Sequence, residues 1–513
     1  MMHLEDLIGS GLVFGIPGTK VTPDIVRHFK ETHAGGIILY RINFESPGQI
    51  VSLICDLENA LERRLLVTVD HEGGRVVMFR DGVTIFPDNL AFGTLGDAEN
   101  ARRQGEIEAR ELRALGMDVN FSPVLDVLTE TYSPNIGIRA YGRDPHLVAR
   151  LGVARVKAMQ AGGLSATVKH FPGLGHAPVD AHLNLPVLPS TWPEMREIHL
   201  VPFIAAINSG VDVIMSSHPV FPHLDPTPRT PTTFSRRIMH DCLRTELEYK
   251  GVVSSDDLEM GAIRELCPMS EAAVQTAKAG HDLLLSCHDL VSQRQLYEAL
   301  REAYRSKSLR VRDLEGSYER IDLLKAKRPQ RFAPGSLAPV PEGPLLAREI
   351  SQRAATVFKD TAHLLPLNPK KAGRVLVIFP ALGSLASKIM IERELEDETR
   401  FLARCFSRHG LHIAPQGSTA ATIVPIEPAD IQIAQAAALA GKADITILFS
   451  FDAHWYSSNK KLLSSVQANA RHLVVALMRD PYDVEFVRDG EACVGAFGFR
   501  QCQLEAVIDK IFQ

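Results

Sequence analysis

The sequence predicts a (β/α)8 TIM-like barrel followed by a smaller α/β (αβα) sandwich domain. In the first two-thirds of the 513 residues, eight short β-branched apolar runs alternate with amphipathic helical stretches, which is the arrangement of a parallel barrel. Polar side chains crowd the C-terminal ends of several runs. A proline-rich break and a second set of apolar runs follow. A doubly wound sheet is the alternative that the pattern leaves open.

The barrel strands are predicted from apolar runs that end in loop residues. They are Gly11–Gly15, Gly36–Tyr40, Leu65–Asp70, Val119–Val127, Ser165–Phe171, Val211–His218, Gly251–Asp257 and His281–Cys287. Glu99–Leu115 and Asp144–Ala161 have the apolar spacing of helices. Since the C-terminal ends of barrel strands share one mouth, the polar residues there should converge. They are Asp70, Asp126, Lys169, His170, His218, Asp256 and Asp257.

Composition divides the chain near a proline-rich stretch. Residues 325–344 contain five prolines in twenty positions, which is typical of a stiff connector. The predicted domains are therefore a catalytic barrel over 1–325, a linker over 326–344 and an α/β sandwich over 345–513. Its candidate strands are Arg374–Pro380, Ile445–Phe451, His472–Met478 and Cys493–Phe497.

Charge and cysteine content exclude several classes of protein. The net charge of −5 does not favour nucleic acid or an anionic membrane surface as partner. The seven cysteines are scattered, odd in number and without a CxxC pair, which argues against a disulfide framework and a structural zinc module. The first residues are acidic rather than basic, and no apolar run approaches the ~18 residues of a membrane span. We expect a cytoplasmic protein.

The segment from Lys169 to His182 has the highest density of potentially catalytic or metal-binding side chains in the chain. It contains three histidines, a lysine and an aspartate in a Gly/Pro-rich loop that follows an apolar run. Two interpretations compete. Asp180 and His182 form an orienting carboxylate and a proton-transfer imidazole, or His170, His176, Asp180 and His182 form a metal cluster.

Two adjacent carboxylates end a later strand, at Asp256 and Asp257. Because strand side chains alternate, one of them points inward at the barrel mouth, where it can attack an electrophilic carbon or bind a cation. The alternative is an aspartate that caps the next helix. Both hold if Asp256 reacts and Asp257 caps.

Two further segments contain candidate ligand-binding residues. Asp70 precedes a Gly-Gly turn and is suited to accept hydrogen bonds from vicinal hydroxyls; the alternative there is a plain loop with a Glu72–Arg75 ion pair. Arg139 offers five fixed donors to a polar ligand, although on its own it is more typical of a surface or structural arginine.

Six ordered motifs resemble glycoside hydrolase family 3, in particular its β-N-acetylglucosaminidase branch that acts on cell-wall fragments. They are VDHEGGRV (69–76), NFSPVLDV (120–127), IGIRAYGRDP (136–145), KHFPG (169–173), DAH (180–182) and SDDLEM (255–260). Weaker similarity at 35–43 and 279–285 extends the resemblance across the barrel. The C-terminal part resembles the second domain of that family in outline.

The resemblance implies roles for individual residues. Asp256 corresponds to the catalytic nucleophile, and His182 to the general acid/base that is paired with Asp180. The residues that correspond to sugar-holding positions are Asp70, Arg139, Lys169 and His170. The implied activity is that of a retaining exo-β-N-acetylhexosaminidase, which needs no metal or other cofactor, acting on a muropeptide, a chito-oligosaccharide or a similar glycoside.

The sequence departs from the family pattern in the same loop. Leu174 stands where a histidine is usual, His176 where an aspartate is usual, and Ala177 and Ala181 where threonine and serine are usual. His71 stands at a position where glutamine is common. The Asp-x-His pair is retained, but His176 has no assigned role.

Four other functions compete with this one. A β-N-acetylglucosaminide phosphorylase is favoured by the histidine, because a neutral imidazole does not repel phosphate as a carboxylate would. A β-glucosidase-type member of the same family is a further alternative. A metal-dependent hydrolase and a sugar-binding protein without turnover are the remaining two.

Overall fold

The computed structural model describes residues 3–130, 132–177, 185–327, 337–384, 395, 397–414 and 417–513. The chain forms two compact units. The first spans residues 1–72, 76–84 and 96–344, and the second spans residues 73–75, 85–95 and 345–513. Two short stretches of the barrel sequence thus belong to the second unit, which the sequence did not indicate.

Eight parallel strands close the barrel of the first unit, because each strand pairs with the next and the last pairs with the first. All eight are buried, almost without exception along their length, which explains why they read as continuous apolar runs rather than alternating ones. The predicted barrel is therefore confirmed. The strands are β1 (Leu12–Gly15), β2 (Gly36–Leu39), β3 (Leu66–Val69), β4 (Val119–Asn120), β5 (Ser165–Phe171), β6 (Val213–Ser216), β7 (Val252–Asp257) and β8 (Leu283–Ser286).

The fourth strand is much shorter than predicted. It contains only Val119 and Asn120, whereas the sequence predicted a strand as far as Val127. Pro123 lacks a backbone N–H group, so it cannot donate to the strand ladder and the regular pairing stops before it. Beyond it, Val124 forms an isolated bridge with Lys169.

Helices surround the barrel strands. The helices predicted over Glu99–Leu115 and Asp144–Ala161 are found at Ala98–Ala114 and Pro145–Ala161, each capped by an aspartate side chain that accepts a backbone N–H bond. The other α-helices of this unit are Leu4–Ser10, Pro23–Thr32, Pro47–Leu61, Trp192–Glu194, Val201–Asn208, Gly261–Arg264, Met269–Ala279, Leu290–Arg305 and Val311–Ala326. Met195–His199 and Arg237–Glu246 are π-helical, and Arg41–Asn43, Gly137–Arg139 and Thr232–Phe234 are 3-10 turns.

The second unit is a six-stranded sheet with helices on both faces. The strand order is β11-β10-β12-β13-β14-β9, with β9 antiparallel to β14 and the other pairs parallel. The strands are β9 (Thr356–Asp360), β10 (Val375–Pro380), β11 (Thr419–Val424), β12 (Ile445–Ser450), β13 (Leu473–Leu477) and β14 (Ala492–Gly495). The four predicted strands match β10, β12, β13 and β14, whereas β9 and β11 were not predicted.

Apolar side chains cover both faces of this sheet and form two separate cores. The helices are Asn89–Leu95, Glu398–Ser407, Asp430–Ala440, Ser457–Asn469 and Gln501–Phe512. The helix Glu342–Ala354 spans the boundary between the two units and begins inside the predicted linker. Residues 328–336 of that linker lie outside the described residues. Among the helices that are described, none has the length and apolar character that crossing a membrane requires.

Candidate active site

Four of the predicted site residues that the structure describes lie at the C-terminal ends of barrel strands, and a fifth, Arg139, lies in the 3-10 turn Gly137–Arg139. Asp70 directly follows β3, Lys169 and His170 lie in β5, and Asp256 is in the last two residues of β7. Because parallel barrel strands end on one face, these side chains share the mouth of the barrel. The sequence-based convergence of polar residues is thus present in the structure.

Lys169 and Arg139 bind two carboxylates at this mouth. The Lys169 Nζ atom lies 2.6 Å from both Asp70 Oδ1 and Glu72 Oε1. Arg139 forms a bidentate salt bridge with Glu72, in which Nη2 donates to Oε1 at 2.6 Å and Nε donates to Oε2 at 2.9 Å. Lys169, Glu72 and Arg139 are buried, while the Asp70 side chain is 26% exposed. Asp70 is therefore the member of this ion network that faces the mouth.

The structure bears on the alternatives that the sequence left open for Glu72 and Arg139. Glu72 pairs with Arg139 and Lys169, so the plain-loop interpretation with a Glu72–Arg75 ion pair does not describe this carboxylate. Arg139 is buried, which rules out a surface arginine but agrees with a structural one, because it pairs with Glu72 and donates to the Asn135 carbonyl at 2.8 Å.

The network sets the charge of its members. Burial raises the pKa of Asp70, and Lys169 only partly opposes this effect. Burial also acts to raise the pKa of Glu72, but Arg139 and Lys169 outweigh it and the pKa is lowered. The pKa of Lys169 is raised because Asp70 and Glu72 outweigh the effect of its burial. Glu72 is thus a fixed anion, and Lys169 is a fixed cation next to Asp70.

His170 is held by a partner that the sequence did not identify. Its Nδ1 atom lies 2.7 Å from the Oδ2 atom of Asp126, which is fully buried, and its Nε2 atom lies 3.4 Å from an Arg139 nitrogen. The carboxylate orients the ring and fixes which nitrogen carries the proton. Both ring nitrogens are engaged by protein groups, one of them near a guanidinium, which disfavours His170 as a metal ligand.

The loop that follows β5 packs closely on the segment after β4. The other Asp126 oxygen accepts the Leu174 N–H at 2.5 Å. Gly175 lies so close to Val127 that a Cβ atom would come within 2.0 Å of the Val127 carbonyl oxygen. The position therefore accepts only glycine, and the Gly-rich composition of the loop reflects this close approach.

Asp256 is a partly exposed carboxylate at the mouth. Its Oδ1 atom accepts the Asp257 backbone N–H at 2.8 Å. Burial acts to raise its pKa, but His218, His170, this N–H and Lys169 together outweigh burial and the pKa is lowered. Asp256 is therefore ionised under ordinary conditions, as a nucleophile must be.

The adjacent carboxylate differs from Asp256 in both contacts and charge. Asp257 Oδ1 accepts the backbone N–H groups of Glu259 and Cys287 at 3.1 and 3.2 Å. Burial, with the neighbouring Glu259 carboxylate, raises the pKa of Asp257 to about 7. The next helix begins at Gly261, so the prediction that Asp257 caps it is wrong. Asp257 instead stabilises the turn that follows β7.

His218 is a further residue of the site. The sequence identified it only as a polar residue at the end of a predicted strand. It follows β6, and its Nε2 atom lies 3.0 Å from the Asp257 carbonyl oxygen. Its Nδ1 atom lies 2.6 Å from Thr233 Oγ1. His218 is one of the groups that lower the pKa of Asp256.

Asp180 and His182 lie outside the described residues, in the stretch 178–184. His176, just before it, is described and contacts His199, with ring centroids 4.1 Å apart. The His176 Nε2 atom lies 2.7 Å from Ser190 Oγ. Burial lowers the pKa of His176 to about 4. Burial and the neighbouring His176 ring lower the pKa of His199 to about 3. Both rings are neutral at pH 7, so His176 packs at the start of this loop as an uncharged ring.

The chain is similar in sequence and fold to carbohydrate-cleaving enzymes. The Glycosyl hydrolase family 3 N terminal domain matches residues 9–324. A β-hexosaminidase of Nitrosomonas eutropha is 36% identical over 295 residues, which are 56% of this chain and 84% of that protein. A β-hexosaminidase of Idiomarina loihiensis is 35% identical over 329 residues, covering 63% of this chain and 97% of that protein.

A solved structure extends the similarity to the second unit. The family 3 β-N-acetylglucosaminidase of Paenibacillus sp. str. FPU-7 superposes with a TM-score of 0.91 at 30% identity, covering 100% of this chain and 97% of that one. The matched barrel domain, the strand-end carboxylates and the order of the motifs agree: the chain belongs to glycosyl hydrolase family 3 and is a glycoside hydrolase that acts on carbohydrate.

Proposed function

We propose that this glycoside hydrolase is an exo-acting, retaining β-N-acetylhexosaminidase that releases terminal β-linked N-acetylglucosamine without a metal ion. The proposal depends mainly on the charge and position of Asp256, which is an ionised and partly exposed carboxylate at the mouth of the barrel. The names of the β-hexosaminidase and β-N-acetylglucosaminidase relatives support the choice of sugar.

Asp256 acts as the nucleophile in the first step. One of its carboxylate oxygens attacks the anomeric carbon, and the bond from that carbon to the leaving oxygen breaks. The product is a covalent glycosyl ester on Asp256. Lys169, His170 and His218 favour the ionised carboxylate, which keeps it reactive before the sugar arrives.

His182 moves the protons in both steps. In the first step its imidazolium donates a proton to the departing oxygen. In the second step the neutral ring removes a proton from water, whose oxygen attacks the anomeric carbon and releases Asp256. An ordinary histidine pKa of ~6.5 suits both duties near neutral pH. Asp180, two residues earlier, orients the ring and favours its charged form.

The ion network around Lys169 holds the sugar. Asp70 is its exposed carboxylate and accepts hydrogen bonds from sugar hydroxyls, while the Lys169 ammonium group, 2.6 Å from Asp70, keeps it in place. Arg139 and His170 contact each other and pack beside this Lys169–Asp70 pair. Buried, mutually paired groups of this kind keep their positions when the substrate binds, so little reorganisation is needed.

The natural substrate we propose is a muropeptide or a chito-oligosaccharide. Both classes present a terminal N-acetylglucosamine to an exo-acting enzyme. This assignment is consistent with the cell-wall-degrading branch that the barrel motifs resemble.

Hydrolysis of two chromogenic glycosides tests the proposal. The chain should release 4-nitrophenol from 4-nitrophenyl N-acetyl-β-glucosaminide with a kcat/KM at least about tenfold above that for 4-nitrophenyl β-glucoside. The reverse preference would identify a β-glucosidase. Rates should be unchanged by a strong chelator at a temperature where the metal-free protein stays folded, whereas chelator-sensitive turnover of the folded protein would identify a metal-dependent hydrolase.

The same assay separates hydrolysis from phosphorolysis. With inorganic phosphate added, a hydrolase gives free N-acetylglucosamine at an unchanged rate. Formation of the sugar 1-phosphate would identify a phosphorylase and contradict the proposal. No turnover of either glycoside would indicate a sugar-binding protein.

A further inference from the structure

Three side chains of the second unit converge at one edge of its sheet. Asp452 and His454 follow β12, and Asp480 follows the neighbouring strand β13. One ligand atom from each lies within 4.8 Å of the others. The C-terminal ends of parallel strands are where open α/β sheets bind ligands, so this placement favours a binding site.

His454 is oriented by a second carboxylate. Its Nδ1 atom lies 2.7 Å from Asp483 Oδ1. Asp483 is itself held by the Ser450 hydroxyl at 3.0 Å and the Ala453 N–H at 2.7 Å. The opposite ring nitrogen, Nε2, lies 4.0 Å from Asp480 Oδ2. A carboxylate that holds one imidazole nitrogen while the other faces further ligands is the common support of a metal-binding histidine.

Two buried carboxylates of the group have oxygens without a hydrogen bond. The Asp452 side chain is fully buried, and among the described residues its Oδ1 atom accepts no hydrogen bond; the same is true of Asp480 Oδ1. Buried polar atoms in native proteins almost always have such a partner, and a bound ion can take its place. These oxygens therefore point to a bound group that the protein itself does not supply.

Arg479 accounts for only part of the negative charge. Its Nε atom lies 2.8 Å from Asp452 Oδ2 and 3.0 Å from Asp480 Oδ2, which leaves the Oδ1 atom of each carboxylate. Asp452 and Asp480 pair with this guanidinium, while Asp480 and Asp483 lie next to the His454 ring. A divalent cation together with the Arg479 guanidinium would balance the charges of the three carboxylates.

We propose that Asp452, Asp480 and His454 bind one divalent transition-metal cation of the zinc type in the second unit. The ligands are the two Oδ1 atoms and the His454 Nε2 atom, a mixed nitrogen and oxygen set that suits Zn²⁺. Arg479 stays on the Oδ2 atoms and orients both carboxylates. The cation ties the loops after β12 and β13 together and has no part in the hydrolytic steps proposed above.

Calorimetric titration with Zn²⁺ tests the site in the full chain after dialysis against a chelator. The Asp180→Ala/His182→Ala chain serves as the parent, so that the histidine-rich barrel loop does not contribute metal ligands. The parent should bind Zn²⁺ with a stoichiometry near one. Asp452→Asn and His454→Gln should each weaken binding by at least about tenfold. His472→Gln, which changes an exposed histidine of the same unit, should bind as the parent does.

Two further readouts keep the test independent of folding defects. Bound Zn²⁺ should raise the Tm of the parent and of His472→Gln, and should raise it less in the two ligand variants. Bound Co²⁺ should give visible absorption bands that the His454→Gln change weakens. Absence of Zn²⁺ binding by the parent, or equal binding by folded Asp452→Asn, would overturn the proposal and leave a buried ion-pair network centred on Arg479.

Discussion

The Lys169 ammonium group lies 2.6 Å from Asp70 and connects β5 to the end of β3 across the barrel mouth. The same nitrogen is 2.6 Å from Glu72, which Arg139 holds from the other side. Lys169 thus neutralises two carboxylates that would otherwise repel each other. In the function proposed above, the position of Lys169 sets where Asp70 meets a sugar hydroxyl.

Replacing Lys169 with methionine should therefore impair both binding and stability. Two carboxylates would lose their shared cation, and breaking a buried pair lowers the free energy of unfolding by roughly 3 kcal/mol or more, so the Tm should fall. Asp70 would no longer be held in place, and a misplaced group can cost about a hundredfold in rate, so we expect kcat/KM for 4-nitrophenyl N-acetyl-β-glucosaminide to fall by about that factor. Lys157→Met, at an exposed helix position, is the matched control. Equal kcat/KM in the two variants would show that the network does not hold substrate.

Replacing His218 with glutamine should shift the acidic limb of the pH profile of kcat/KM. His218 helps to lower the pKa of Asp256. Without it that pKa rises, the carboxylate takes up a proton at a higher pH, and the activity is lost at a higher pH than in the parent. His240→Gln, at a partly exposed surface position, should leave the profile unchanged. An unshifted limb in His218→Gln would mean that Asp256 does not set it.

Replacing His182 with alanine should affect substrates according to their leaving group. A 4-nitrophenolate leaves without protonation, whereas a sugar hydroxyl needs an acid, so the loss of rate should be least with the activated glycoside. General acid catalysis contributes typically 10²- to 10⁴-fold, and a loss of that order is expected on N,N′-diacetylchitobiose. The measurement compares kcat/KM on the two substrates. An equal loss on both would rule out the acid role.

The His176–His199 pair should make stability sensitive to acid. The folded-state pKa values are lowered to about 4 and about 3, while the unfolded chain binds protons from about pH 6.5 downward. The unfolded state therefore gains protons first, and stability is lost as the pH falls from 6.5 toward 4. For one histidine the loss is on the order of 3 kcal/mol over this range.

The Tm of His199→Gln should accordingly fall less between pH 7 and pH 4.5 than the Tm of the parent. The buried glutamine lowers stability at every pH, so the slope with pH is the quantity to compare. His472→Gln, at an exposed position, keeps the parental slope. A parental slope in His199→Gln would show that this pair does not respond to acid.

The sequence predicted the barrel because each parallel strand is buried and reads as an apolar run between loop signals. Ser165–Phe171 was predicted to the residue. The sequence did not predict how short β4 is, because Pro123 ends the strand ladder there. It also did not predict the strand Thr356–Asp360, which is an antiparallel edge strand and only partly buried. Edge strands carry mixed polar residues and resemble loops in a single sequence.

The site was predictable in its residue types but not in its pairings. Asp70 and Lys169 were both expected at the mouth, yet their contact joins positions 99 residues apart. Glu72 and Arg139, 67 residues apart, form a pair that local pattern does not indicate. Such contacts depend on barrel closure, which sets the distance between strand ends. The raised pKa of Asp257 likewise depends on burial by other segments.

Covalent trapping of the glycosyl-enzyme tests the central claim most directly. A 5-fluoro glycosyl fluoride of N-acetylglucosamine keeps the acetamido group and slows the second step, so the intermediate should accumulate. Mass spectrometry of the digested protein should then find one sugar on the peptide that contains Asp256, and no label in Asp256→Ala. An inactivated enzyme labelled at another residue, or turnover by Asp256→Ala at the parental rate, would contradict Asp256 as the nucleophile.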